Sequence, residues 1–375
     1  MKKILAVALL AIPAVVFAQQ KAPIAQYWMS VETTAGMGGM AAMAMGSRAQ
    51  GGRSIRLDLG SQRGADVPRA DHEIPAAMNM GPSLPLETPR TTRSESSEGE
   101  LPKGRWLIYW GCGDTVRAGQ PVVVDLANLV QGQLPAGFTS RRVGTSMPPS
   151  GRTVGYWPNQ QQAKPVPDNA SLVGDHTIRG NYTPDIRFSL TQGQDFMGRV
   201  ELSSAASAGG GTTLRWNTLA NATGYSAVSM GTEGNDTIFW SSSEVQTWGW
   251  ELMDWLAPGE VTRLIREKVV MSPQTTECTV PAEIVKKSGT PMAMFTAYSP
   301  EANFGFPARP KDPEWYSKIR FKSTASVLLG DAEGGRRGRP QQRAGQPAQQ
   351  SAEQPAAPSS PVLDGVNILR GIFGR

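Results

Sequence analysis

Alternation of apolar and polar positions is the dominant signal along the chain. In Arg53–Leu59, Ile55, Leu57 and Leu59 fall on one side of an extended segment. Ser54, Arg56 and Asp58 fall on the other, which is the two-residue period of a half-buried strand. Tyr27–Thr33, Ile186–Leu190 and Arg199–Leu202 read as further strands. Arg105–Trp110 and Val122–Leu126 are apolar on both parities, as expected of buried strands. Val261–Met271, Cys278–Val280, Met292–Ala297 and Lys318–Leu329 continue the pattern. In the last of these, Ile319, Phe321 and Ser323 alternate with Arg320, Lys322 and Thr324, which predicts an amphipathic edge or surface strand. Between the strands, Pro75–Gly104 and Gln131–Asp175 carry mostly loop composition, and Pro300–Pro313 reads as a packed extended loop.

One stretch has a more specific pattern. Leu214 and Trp216 share a face, a short polar turn follows, and Ala222-Thr-Gly-Tyr225 leads into the next strand, with Trp240-Ser-Ser242 beyond. Over residues 212–242 this L-x-W, A-x-G-Y, W-x-S arrangement resembles a fibronectin type III or related immunoglobulin-like module. The resemblance implies a β-sandwich used for carriage or adhesion, and it implies no site residues. The expected fold is therefore all-β, with two β-sandwich-like domains and long loops. The first spans 19–204 and the second 212–330, with the Gly-rich stretch Ala205–Gly211 as the boundary. Glycine (41) and proline (29) are abundant enough among 375 residues to favour such a loop-rich β protein over a helical one.

The chain ends have different compositions. Residues 1–18 read as an export signal: Lys2 and Lys3 precede the short apolar core Ile4–Val16, and Val16-Phe17-Ala18 supplies a cleavage site. The core falls short of the ~20 residues needed to span a bilayer, and no later segment is apolar enough to do so. The expected location is periplasmic or secreted, in a Gram-negative bacterium. Residues 331–361 are rich in Gly, Arg, Gln, Pro and Ala and are expected to form a disordered linker. Beyond it, Val362, Val366, Leu369 and Phe373 recur at i, i+4, i+7 and i+11. This spacing predicts a short amphipathic helix over 362–375 that docks on a partner or on the body.

Charge and side-chain chemistry narrow the function classes. The net charge of +5 is modest, and much of it lies in the tail at Arg336, Arg337, Arg339 and Arg343. In an exported chain this is not a nucleic-acid signature. Cys112 and Cys278 are the two cysteines, and an even count in an oxidising compartment predicts a disulfide, the alternative being two buried thiols. Met37, Met40, Met43 and Met45 lie in the stretch Ala35–Gly46, which holds no charged group. Thioethers suit Cu(I), yet the flanking glycines equally describe a mobile apolar connection. His72 and His176, beside Asp71, Glu73 and Asp175, are expected as solvated loop residues in preference to metal or acid–base centres. Trp106, Tyr109 and Trp110, and Trp248, Trp250 and Trp255, form two aromatic groups, expected in the core more than stacked on sugar rings. No nucleophile elbow, zinc-protease, P-loop or dinucleotide motif is present.

The expected function is a non-enzymatic envelope protein with a binding or scaffolding role and no cofactor. It would act on an envelope protein or polymer partner through its sandwich surfaces and tethered helix. The alternative is a periplasmic Cu(I)-binding protein using Met37–Met45.

Overall fold

The computed structural model describes residues 22–36, 52–88, 104–130, 135, 141–159, 162–289, 292–308 and 313–330. The leader, the methionine stretch, the linker and the terminal helix face carried by Val362, Val366, Leu369 and Phe373 lie outside the described residues. The protein is mostly β, with several sheets and few helices. Its strands are β1 (Ala25–Gly36), β2 (Gly52–Ser61), β3 (Ala70–Glu73), β4 (Ser83–Leu86), β5 (Arg105–Trp110) and β6 (Val122–Asp125). There follow β7 (Thr153–Trp157), β8 (Gly174–Gly180), β9 (Ile186–Leu190), β10 (Ser203–Ala206), β11 (Thr212–Arg215) and β12 (Gly224–Glu233). The last are β13 (Asp236–Ser241), β14 (Glu277–Val280), β15 (Met292–Tyr298), β16 (Ala302–Phe306) and β17 (Trp315–Leu328). Among the described residues three short α-helices interrupt them: α1 (Leu126–Val130), α2 (Pro258–Arg266) and α3 (Ala282–Lys287).

Ten strands form the main sheet, in the order β6-β5-β13-β12-β15-β17-β1-β2-β7, with β16 pairing β17 beside β15. Pairing is antiparallel except between β1 and β17 and between β13 and β5. A four-stranded sheet, β4-β3-β8-β9, and a three-stranded one, β10-β11-β14, accompany it. The inner face of the main sheet presents Tyr27, Met29, Val31, Leu57, Ile319 and Phe321. These share one apolar cluster with Ile178 and Ile186 of the four-stranded sheet and with Leu214 and Val280 of the three-stranded one. This is sheet-on-sheet packing, in which each strand gives alternate side chains to a common core.

The outer face is covered over part of its width. Val228, Met294 and Tyr298 pack against Leu252 and Leu256 of the loop 244–257 and against Val261 and Leu264 of α2. Trp106, Ile108 and Phe239 pack against Val124 and Leu126, with half-buried Trp248 and Trp250 against them. The second aromatic group thus roofs the outer face, and the strands β5 and β13 bury both of theirs.

The fold departs from the sequence pattern at identifiable points. Val261–Met271 is not a strand: Pro258 at the helix start and the i, i+3 pair Val261 and Leu264 build α2, whose inner side meets β12. Lys318–Leu328 is not an edge strand but lies between β1 on one side and β15 and β16 on the other. Arg199–Leu202 forms no strand, whereas β4, β7 and β16 arise inside segments of loop composition. Of Ala205–Gly211, Ala205 and Ala206 end β10 and residues 207–211 form the turn to β11, and strands from both sides of the stretch join the main sheet.

Two glycines illustrate how backbone conformation enters. Gly104 has φ of 107°, and a Cβ there would lie 2.0 Å from the Asn235 carbonyl oxygen. Gly234 opens the two-residue turn between Glu233 and Asp236 with φ of 59° and open space around it. A positive φ at the first turn position marks the primed turns that suit a twisted hairpin. Gly104→Ala is expected to cost at least ~1–3 kcal/mol from strain alone, with the backbone clash added. Gly234→Ala should cost only the ~1–2 kcal/mol of a left-handed alanine. Urea midpoints of the two variants check the order; equal losses would mean that the Asn235 contact imposes nothing.

Candidate functional site

The predicted disulfide is present: Cys112 and Cys278 are bonded, with Cα atoms 5.3 Å apart and 166 positions between them in sequence. Cys112 follows β5 between Gly111 and Gly113, both at positive φ. The Gly113 N–H donates to the Thr279 carbonyl at 2.9 Å, bringing this turn against β14. The bond therefore fastens the main sheet to the three-stranded sheet.

The histidines are not solvated loop residues. His72 on β3 and His176 on β8 are 0% and 1% exposed, in the core between the main and four-stranded sheets. Tyr27 of β1 completes the set, at 0%. Hydrogen positions follow by elimination. The Leu172 carbonyl can only accept, so His176 Nε2–H donates to it, at 2.8 Å. A neutral His176 then accepts at Nδ1 from His72 Nε2–H, at 2.9 Å. His72 Nδ1 in turn accepts from the Tyr27 hydroxyl, at 2.9 Å. Every polar hydrogen of this Tyr27–His72–His176 relay then has a partner with both rings neutral. Burial, with His176 beside it, holds His72 well below the ordinary imidazole range. Burial lowers His176 as well, partly offset by the Leu172 carbonyl. Burial raises the Tyr27 hydroxyl. Phe188 stacks on His176 with centroids 5.0 Å apart, and Phe304 stacks on Phe188 in turn. With no exposed atoms to offer a substrate, this relay ties two sheets together. Nearby Glu73 pairs with Arg179 at 2.7 Å on the surface, while Asp71 and Asp175 are exposed.

The chemistry that the sequence pattern missed lies on the outer face along β1, β2 and β17, part of it roofed by Trp255. The parallel register of β1 and β17 sets Trp28 beside Lys318, Ser30 beside Arg320 and Glu32 beside Lys322. On the far side of β1, Asp58 faces Trp28 and Arg56 faces Ser30. The result is a ladder of three cations on an interior strand, where charged side chains are seldom buried. Arg320 is 3% exposed and Lys322 7%.

Two indoles frame this ladder. The Arg320 guanidinium carbon lies 4.7 Å from the centre of Trp28 and 5.1 Å from that of Trp255. Lys322 Nζ is 3.9 Å from Trp255 and Lys318 Nζ is 5.0 Å from Trp28. Such contacts favour a desolvated cation. Lys322 donates to the Met253 carbonyl at 2.7 Å and lies 3.7 Å from Glu32. Lys318 lies 3.6 Å from Glu301, and Arg56 pairs with Asp58 at 2.9 Å. Arg320 Nε donates to Ser30 Oγ at 2.7 Å, while its Nη1 is buried with no acceptor among the described residues. Desolvation lowers the Arg320 pKa, and Asp254 acts against it.

Of the other expected sites, Met37, Met40, Met43 and Met45 fall in the connection from β1 to β2, outside the described residues. Among those described, no group of three or more His, Cys, Asp or Glu is placed to hold a metal ion. Among the described residues no helix is long and apolar enough to cross a membrane, which says nothing of strands. A shallow recess of about 250 Å³, lined by Gly64, Ala65, Asp66, Arg152 and Thr153, has no convergent catalytic groups. A scan against protein-family models finds no match to this chain, and searches of the curated proteins and of the solved structures find none either.

Proposed function

We propose that this chain is a non-catalytic binding or scaffolding protein of the cell envelope, and that its recognition surface is the outer face of the main sheet beside β1 and β17, where Trp28, Tyr316 and Lys318 reach the surface around the buried cations. The observation that carries the reading is the cation ladder Lys318–Arg320–Lys322 between Trp28 and Trp255. A protein that needed this strand only for its core would gain more from apolar residues there, because burying charge is costly even when it is paired. Tyr316, 37% exposed, extends the face. Its ring lies over Gly305, where a Cβ would come within 2.7 Å of it. The half-buried Trp28 indole, the exposed Tyr316 phenol and the partly exposed Lys318, held by the buried cations beneath, are the ingredients of a binding surface, with aromatic anchors and a polar group that sets orientation.

Other features support the same reading. The leader at residues 1–18 and the disulfide both suit an exported protein. The segment resembling a fibronectin type III module forms β11 to β13, with Trp216, Tyr225 and Trp240 in the core, and such modules present surfaces to partners. The histidine relay, enclosed between sheets, supplies no nucleophile or base to a substrate.

The test is retention of the purified mature chain on envelope polysaccharide and on isolated cell-wall sacculi. Trp28→Ala combined with Tyr316→Ala is expected to weaken retention at least ~10-fold, the loss of ~1.4 kcal/mol that one good contact contributes. Retention unchanged in a folded double variant would overturn the choice of face.

A further inference from the structure

Among the described residues, four asparagines head an Asn-x-Ser/Thr triplet: Asn169, Asn181, Asn221 and Asn235. Such a triplet accepts a saccharide when its amide nitrogen can react and the hydroxyl two positions on can be gripped by the transferring enzyme, which calls for a surface loop. The fold withdraws three of the four. The Asn181 amide donates to the Val67 carbonyl at 2.9 Å, and the buried Thr183 hydroxyl donates to the Pro184 carbonyl at 3.0 Å. Two positions beyond Asn169, the Ser171 hydroxyl donates to Asp195 at 2.6 Å. Two beyond Asn221, the Thr223 hydroxyl is buried. Asn235 differs: it is the second residue of the turn between β12 and β13, whose strands pair as far as Glu233 and Asp236.

Glu233, Gly234 and Asn235 are all exposed, with open space around Gly234, and Thr237 is half-buried. What holds the tip is the residue between asparagine and threonine. Asp236 accepts the Arg105 backbone N–H at 3.2 Å and the Arg105 Nε–H at 3.1 Å. An ion pair this exposed contributes little, so the tip can bend into an enzyme's groove. The residue two positions before the asparagine also sets this triplet apart. It is Pro167, Arg179 or Leu219 in the other three and Glu233 here, a carboxylate that a cation of the transferase can hold by a charge-assisted contact. From this juxtaposition we infer that Glu233-Gly-Asn-Asp-Thr237 is an acceptor for N-linked glycosylation of the folded chain. Asn235 takes the saccharide, and Glu233 and Thr237 are what the transferase grips. The donor class is an oligosaccharide carried on a polyprenyl diphosphate. Asn235 Nδ2 bonds to the anomeric carbon as the bond from that carbon to the diphosphate oxygen breaks. The diphosphate leaves with the electron pair, and the nitrogen gives up one proton to the transferase. The inference rests on the export read from residues 1–18 and goes beyond the binding role. Both β12 and β17 run antiparallel to β15. The turn after β12 therefore lies at the end of the sheet away from Tyr316, and a glycan there leaves the face beside β1 and β17 open.

The experiment incubates the purified, folded mature chain with a bacterial N-oligosaccharyltransferase and its lipid-linked oligosaccharide, read by intact mass and by mapping of the modified peptide. One oligosaccharide per chain is expected, on Asn235. Asn235→Gln and Thr237→Val, both at the turn, should each abolish the mass increase, and Glu233→Gln should slow transfer at least tenfold. A chain unfolded in urea and diluted into the same reaction should in addition be modified at Asn169, Asn181 or Asn221, because the fold no longer withdraws them. No transfer to the folded chain while a free peptide of sequence Glu-Gly-Asn-Asp-Thr is modified would overturn the inference. So would modification of the folded chain at another asparagine in preference to Asn235, or a rate unchanged in Thr237→Val or Glu233→Gln. Retention on cell-wall sacculi should be the same for Asn235→Gln as for the parent chain, so the binding role stands or falls separately.

Discussion

Breaking the Cys112–Cys278 bond is expected to lower the stability of the fold by about 5 kcal/mol, the loop-closure entropy of a cross-link spanning 166 positions. That is a large part of the ~5–15 kcal/mol by which domains are ordinarily stable. The effect should be concentrated at one junction. The Trp240 indole N–H donates to the Gly111 carbonyl at 2.9 Å, and the Gly111 N–H donates to the Ser241 carbonyl at 3.0 Å. This side of the junction keeps its hydrogen bonds after reduction. On the other side Cys278, 3% exposed on β14, loses its covalent tie to the main sheet. Urea unfolding with and without reductant, followed by tryptophan emission, checks the magnitude. Coincident midpoints would mean that the three-stranded sheet is held by packing alone.

Acidification is expected to destabilise the fold well before its carboxylates titrate. Histidine is the only side chain whose ordinary pKa lies between pH 5 and 8, and this chain has just two, both in the relay. Unfolded histidines bind protons near pH 6.5, whereas the folded pair, lowered by burial, stays neutral further down. Below pH 6.5 the unfolded state thus binds more protons than the folded one. The stability present above that pH is progressively lost as pH falls towards the folded values. The slope reaches at most about 1.4 kcal/mol per pH unit per histidine, so the pair contributes up to about 4 kcal/mol between pH 7.5 and 5. His176, whose shift is opposed by the Leu172 carbonyl, should give the smaller share. Unfolding free energies at pH 8, 7, 6 and 5 provide the measurement. A flat profile would show that the rings are not held neutral.

Where local pattern decided the structure, the sequence was legible. Ile55, Leu57 and Leu59 do point inward together, and Arg105–Trp110 is a buried strand. The cysteines pair as their even number indicated. What pattern alone could not give was neighbourhood. The alternation in Lys318–Leu328 defines two faces correctly but cannot show that β1 lies alongside and that Trp255 closes over the polar one. His72 and His176, 104 positions apart, have flanking carboxylates that look solvated, and they are, while the rings turn the other way. Val261–Met271 differs because its spacing is helical throughout the first part: Val261 and Leu264, like Arg263 and Arg266, are three positions apart, and a two-residue alternation does not fit them. The candidate site could have been suspected from one sign: three cations at alternate positions in a strand of 14 residues, longer than edges usually are.

The parallel pairing of β1 with β17 has a consequence for how the chain acquires its structure. Ser30 and Arg320 meet across 290 positions, so the first strand has no neighbour on one side until the last strand has been made. Closing so long a loop precedes any reward from the contact, and topologies of this kind fold slowly. A polypeptide threaded through a translocase from its leading end would therefore emerge with Tyr27, Met29 and Val31 still unsheltered. It would complete its main sheet only after release. The seam between β1 and β17 is therefore the last part of the main sheet to close.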